Sequence, residues 1–149
     1  MVINRISEAL FPGDGPRDEE GARELPPLSP EAGAAGLLIE AAQREGGLTE
    51  VERDLVDAAL MKLFRLTNPR AKEMRAAAES AQAASATATG FAAAAAQLPQ
   101  ETREQLITHL WAVADADNMN TQVERELMRT VETVFGMDRA RLLALRPAR

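Results

Sequence analysis

A chain of 149 residues has room for one domain with a single core and is short for two. It holds no cysteine, which excludes disulfides and thiolate metal sites, and its net charge of −6 argues against nucleic acid, which needs a basic surface. No run of about 18 apolar residues is present to span a membrane, and the start lacks the long apolar stretch of a secretory signal, so the expected location is cytoplasmic.

Ala, Leu, Glu, Arg and Gln dominate, Tyr is absent, and only four Phe and one Trp occur. Such a composition favours helices that pack closely through small residues. No alternating apolar and polar stretch reads as a strand. The expected fold is all-α, with about seven helices.

Residues 1 to 30 contain five of the eight prolines, several glycines and the charge run Arg17-Asp18-Glu19-Glu20. A segment so poor in apolar surface cannot offset its ordering entropy, so it is expected to be a disordered tail or linker before a domain at 31–149. Val2, Ile3, Ile6, Ala9, Leu10 and Phe11 are the exception. Their helical spacing predicts a short helix that docks on the domain or on a neighbouring copy.

The domain opens with a helix over Glu31 to Glu45, carrying Leu37, Leu38, Ala41 and Ala42 on one stripe and ended by Gly46-Gly47. A second helix follows over about 50–66. Asn68-Pro69 signals the cap and first turn of a third, over about 69–84. Ser85 to Gly90 reads as a break before the alanine-rich run Phe91 to Gln97, a candidate for tight helix packing. Pro99 starts a helix reaching Ala116, Asp117 to Asn120 form a loop, and Thr121 to Phe135 form the next helix. Gly136 ends it, and Asp138 caps a last short helix before Pro147.

Shifting the chain by 72 residues lays Thr49-Glu50-Val51-Glu52-Arg53-Asp54-Leu55 on Thr121-Gln122-Val123-Glu124-Arg125-Glu126-Leu127, identical at five of seven positions. Leu38 falls on Leu110, Ala42 on Ala114, Glu45 on Asp117 and Leu63 on Phe135. Loop, cap and helix align together, which predicts two helix–loop–helix units about a pseudo-twofold axis.

Projected at about 100° per residue, Val51, Leu55, Val56, Ala59 and Leu63 mark the buried arc of the second helix, and Glu52 lies inside it. In the second unit Val123, Leu127, Met128, Val131 and Phe135 enclose Glu124. Glu45 continues the stripe of Leu38, Ala41 and Ala42; Asp117 continues that of Leu106, Leu110 and Ala114. Four acids thus point coreward at the loop ends, where a carboxylate must be paired, hydrogen-bonded, protonated or metal-bound. Thr49-x-x-Glu52 and Thr121-x-x-Glu124 both fit the capping box, in which threonine and glutamate satisfy each other's backbone donors. The other reading is a site of hard oxygens for calcium, magnesium or manganese, gathered from both loops. Neither loop has the spacing of an EF-hand.

Other residues carry less. His109, the only histidine, projects away from the apolar stripe and is expected to face solvent. Trp111 projects onto the apolar side and is expected in the core. Gly13-x-Gly15 follows no strand and is no nucleotide loop. No nucleophile stands beside a base, so no enzyme is expected.

The segment Leu110-Trp111-Ala112-Val113-Ala114-Asp115-Ala116-Asp117, followed by Thr121-x-x-Glu124 and closed by Val134-Phe135-Gly136-Met137, resembles the second half-motif of the TerB-like (tellurite-resistance B) family. Ile39 to Gly47 with Leu48-Thr49-x-x-Glu52 is similar to the family's other half-motif. The resemblance covers about 33 to 146 and implies an all-helical, internally symmetric fold with a metal site at Glu45, Glu52, Asp117 and Glu124. Glu45 stands where the family usually has Asp, Asn118 where it has Gly, and Thr49 and Thr121 where acids are frequent. The resemblance implies a bacterial stress- or tellurite-resistance module with a weak divalent-cation site. The alternative is a helical protein–protein interaction or homodimerisation domain without metal.

Overall fold

The computed structural model describes residues 28–43, 47–116 and 121–147. Among them are seven α-helices and no strand: α1 (Pro30–Ala42), α2 (Glu50–Phe64), α3 (Asn68–Ala83), α4 (Ala88–Ala95), α5 (Gln100–Ala116), α6 (Thr121–Phe135) and α7 (Arg139–Ala144). Most of the proposed tail, residues 1–27, lies outside the described residues. Leu28 already packs against the core, and Ser29 caps α1 by accepting the Ala32 amide at 3.0 Å. The domain therefore starts slightly before residue 31.

Helix α1 is the axis of the domain. Every residue from Gly33 to Ile39 is buried, as are Ala41 and Ala42. A helix apolar on nearly all sides must lie inside, and α1 touches α2, α3, α4, α5 and α6. Its closest partner is α4, and two glycines make the approach possible. A Cβ at Gly33 would stand 2.5 Å from the Phe91 carbonyl oxygen, and one at Gly36 would overlap the Phe91 ring. Phe91 is fully buried in that space, with Ala92 and Ala95 beside it. The alanine-rich run thus packs tightly, as its composition predicts.

A buried ion pair fixes α2 to α3. Asp57 is 2 % exposed, and Arg75 donates to it from Nε at 2.6 Å and from Nη2 at 3.4 Å. Arg75 Nη1 also reaches Glu79 at 2.5 Å. The hydrogen bond to Asp57, above all, raises the arginine's already high pKa.

The differences from the sequence reading are local. Val51 is 69 % exposed rather than part of the buried arc. It lies in the first turn of α2, where a side chain leans back over the helix end and has nothing to pack on. The third helix is capped by Thr67, whose hydroxyl accepts the Arg70 amide at 3.4 Å, so Asn68 and Pro69 are already helical. The break before α4 is shorter than Ser85 to Gly90. Ser85 turns at φ 89°, and Thr87 caps α4 by accepting the Gly90 amide at 3.2 Å. Helix α1 ends at Ala42, ahead of Gly46-Gly47, and α2 ends on the left-handed Arg65. Gly136 (φ +66°) closes α6, and the Asp138 carboxylate caps α7 at 2.8 Å, both as expected.

Burial recurs at the 72-residue shift. Ala34, Ala35, Leu38, Ile39, Ala41, Ala42, Val56 and Ala59 are buried, and so are Leu106, Ile107, Leu110, Trp111, Val113, Ala114, Met128 and Val131. Gly33 opposite Gln105, Gly36 opposite Thr108, Leu37 opposite His109, Asp57 opposite Arg129 and Leu60 opposite Glu132 break the pattern, each pairing a buried residue with a more exposed polar one, so burial alone does not establish the duplication.

Candidate functional site

The four sequence-derived acids divide in two. Glu45 and Asp117 lie outside the described residues. Glu52 and Glu124 stand in the first turns of α2 and α6.

Glu52 is 6 % exposed. Its Oε1 accepts the Thr49 amide at 2.8 Å, while the Thr49 hydroxyl accepts the Glu52 amide at 3.2 Å. This is a complete capping box, satisfying two donors that the helix itself leaves orphaned. The helix dipole adds to it by favouring negative charge at this end. The second half differs. The side chains of Thr121 and Val123 lie outside the described residues, but the Glu124 carboxylate is ion-paired with Arg146 at 3.8 Å.

Arg146 reaches Glu124 because α5 holds the C-terminal helix along one stripe. Glu104, Thr108, Trp111 and Asp115 follow one another at helical spacing on a single face. Glu104 takes the Arg141 guanidinium at 2.7 and 3.2 Å. The Thr108 hydroxyl donates to the Leu145 carbonyl at 3.0 Å, and Trp111 Nε1 donates to the Leu142 carbonyl at 3.0 Å. Asp115 takes Arg146 with both oxygens, at 2.6 and 3.3 Å. The guanidinium also lies over the Trp111 ring, 4.5 Å from its centre. Hydrogen bonding to Asp115 is the main cause that raises the Arg146 pKa. A cleft of about 180 Å³ opens beside this strap, with Trp111, Glu124 and Met128 in its wall.

Among the described residues no group of three or more Asp, Glu or His side chains is placed to hold a metal ion. Glu52 and Glu124 offer oxygens of the kind hard cations prefer. Each already serves a partner inside the protein, so a ligand set would depend on Glu45 and Asp117.

His109 is not the solvent-facing residue its projection suggests. It is half-buried in a crevice between α2 and α5, lined by Leu55, Ala59, Lys62 and Val113. Burial first, and the Lys62 charge second, lower its pKa below the ordinary 6.5. Trp111 is in the core, 4 % exposed, as expected.

Over residues 31–146 the chain matches the family described as tellurite resistance protein TerB. It belongs to the TerB family. No curated protein and no solved structure matches it significantly. In this TerB domain no helix among the described residues is long and apolar enough to cross a membrane.

Sequence reasoning missed two members of this side-chain cluster. Asp115 was visible only as a motif letter, and Arg146 lies 31 residues further on, beyond the reach of any local pattern. The available signal was the spacing of Glu104, Thr108, Trp111 and Asp115, a polar stripe interrupted by the one tryptophan.

Proposed function

We propose that this TerB domain is a non-enzymatic helical module of the tellurite- and stress-resistance type that holds a divalent cation weakly at its two acidic loops. The observation that carries the reading is the position of Glu52 and Glu124. Each stands, largely shielded from solvent, in the first turn of the helix that follows the chain segment containing Glu45 or Asp117. All four are carboxylates, which suit calcium, magnesium or manganese rather than softer metals. Weakness follows from their partners: the Thr49 amide for Glu52 and Arg146 for Glu124. Thr49 and Thr121 further lower the charge of the two loops.

Calorimetric titration of calcium and of manganese into the full chain tests this. The expected result is millimolar binding that disappears in the Glu45→Ala/Asp117→Ala double variant. Absence of binding at millimolar cation, or equal binding by the double variant, overturns it.

A second reading, a helical interaction or dimerisation domain without metal, is favoured by one observation. The Arg146 guanidinium already supplies a positive charge to Asp115 and Glu124. Sedimentation measured with and without cation separates the two: concentration-dependent dimers indifferent to cation support the second.

A further inference from the structure

A wide groove among the described residues is lined by none of the four acids. It has about 730 Å³, against about 180 Å³ for the cleft at α7 and about 140 Å³ for the crevice at His109. The start of α1, the C-terminal half of α3 and the start of α4 enclose it. Ala32, Ala77, Ala81, Ala84, Ala86 and Gly90 form its small, apolar lining, with Leu28 and a few hydroxyl residues. No charged side chain lines it, although 27 % of the chain is charged. A groove without charge and without bulk suits the apolar face of a helix, whose large side chains fill what the alanines leave open.

The chain itself supplies such a face. Val2, Ile3, Ile6, Ala9, Leu10 and Phe11 form one apolar stripe at helical spacing, and Pro12 stops a helix after Phe11. A helix over these residues would be about 15 Å long. The sixteen residues between Phe11 and Leu28 would span roughly 20–25 Å as a flexible chain. Leu28 and Ser29, where the described chain begins, are themselves in the wall of the groove. The tether therefore lets the stripe reach this groove, whose wall it adjoins.

We propose that the groove between α3 and the starts of α1 and α4 is the intramolecular docking site of the apolar segment Val2–Phe11. Docking covers the groove within one molecule. The inference goes beyond the cation reading and stands without it, since none of the four acids lines the groove.

The chain has no cysteine, so cross-linking with introduced pairs is unambiguous. In the full chain, Leu10→Cys with Ala77→Cys, an exposed position in the groove wall, should form a disulfide within monomers under mild oxidation. The rate should exceed that of Leu10→Cys with Thr133→Cys, exposed on α6, by more than about tenfold, since the tether alone supplies the control encounter. Adding Ile6→Asp should return the first pair to the control rate. Equal rates for the two pairs, or no effect of Ile6→Asp, overturn the proposal. Cross-links found only in dimers also overturn it and give the groove to a second copy. Amide spectra of the chain without cysteines provide an independent readout. Ile6→Asp/Leu10→Asp should shift Ala77, Ala81, Ala86 and Gly90, and an unchanged groove overturns the assignment.

Discussion

The guanidinium of Arg146 lies 4.5 Å from the centre of the Trp111 ring and is held there by both oxygens of Asp115. This contact closes the C-terminal helix over α5 and places a positive charge beside Glu124. Arg146→Ala should lower stability by about 1–2 kcal/mol, from a partly exposed cation–π contact and a bidentate ion pair together. Trp111 is the only tryptophan, so its fluorescence reports this site alone. The variant should show red-shifted emission and stronger acrylamide quenching while far-ultraviolet dichroism stays unchanged. Unaltered quenching would show that the strap stays closed without Arg146.

Gly36 is expected to be more sensitive than its size suggests. Alanine normally favours a helix over glycine by about 1 kcal/mol. Here its methyl would overlap the buried Phe91 ring, and overpacking of that kind costs about 1–3 kcal/mol. Gly36→Ala should therefore destabilise the domain in urea unfolding, and Gly36→Ala/Phe91→Leu should recover part of the loss. A more stable single variant would mean that α1 and α4 can move apart without cost.

Arg75 and Asp57 should behave as a unit. Arg75→Ala leaves the buried Asp57 carboxylate without its main partner and should cost about 3–5 kcal/mol. The apolar pair Asp57→Leu/Arg75→Met should cost much less, since it removes both charges from the α2–α3 contact. Equal losses in the two variants, measured by chemical denaturation, would show that geometry rather than charge dominates.

His109 predicts a pH dependence. Its folded pKa is depressed below 6.5 by burial and by Lys62, so below pH 6.5 the unfolded chain binds more protons than the folded one. The contribution of neutral His109 is fully present above pH 6.5, and is lost as pH falls from there through the folded pKa. His109→Gln should flatten the unfolding midpoint against pH on the acid side of 6.5. A histidine titrating at or above 6.5 by NMR would refute the assignment.

Helical content, most helix ends and the members of the capping box were legible in the residues alone. These are local properties: Thr49 and Asp138 cap because each hydroxyl or carboxylate lies within three residues of the amide it satisfies. Spacing likewise placed Glu52 on the inner face and Trp111 in the core. What each buried polar group meets is set by packing between distant segments. Asp57 finds Arg75 across 18 residues, Asp115 finds Arg146 across 31, and Gly36 makes room for Phe91. His109 looked exposed on an isolated helix and is half-buried because α2 lies against that side of α5. Helical periodicity says which face a residue occupies. It does not say which neighbour arrives there, since that depends on contacts between segments far apart in the chain.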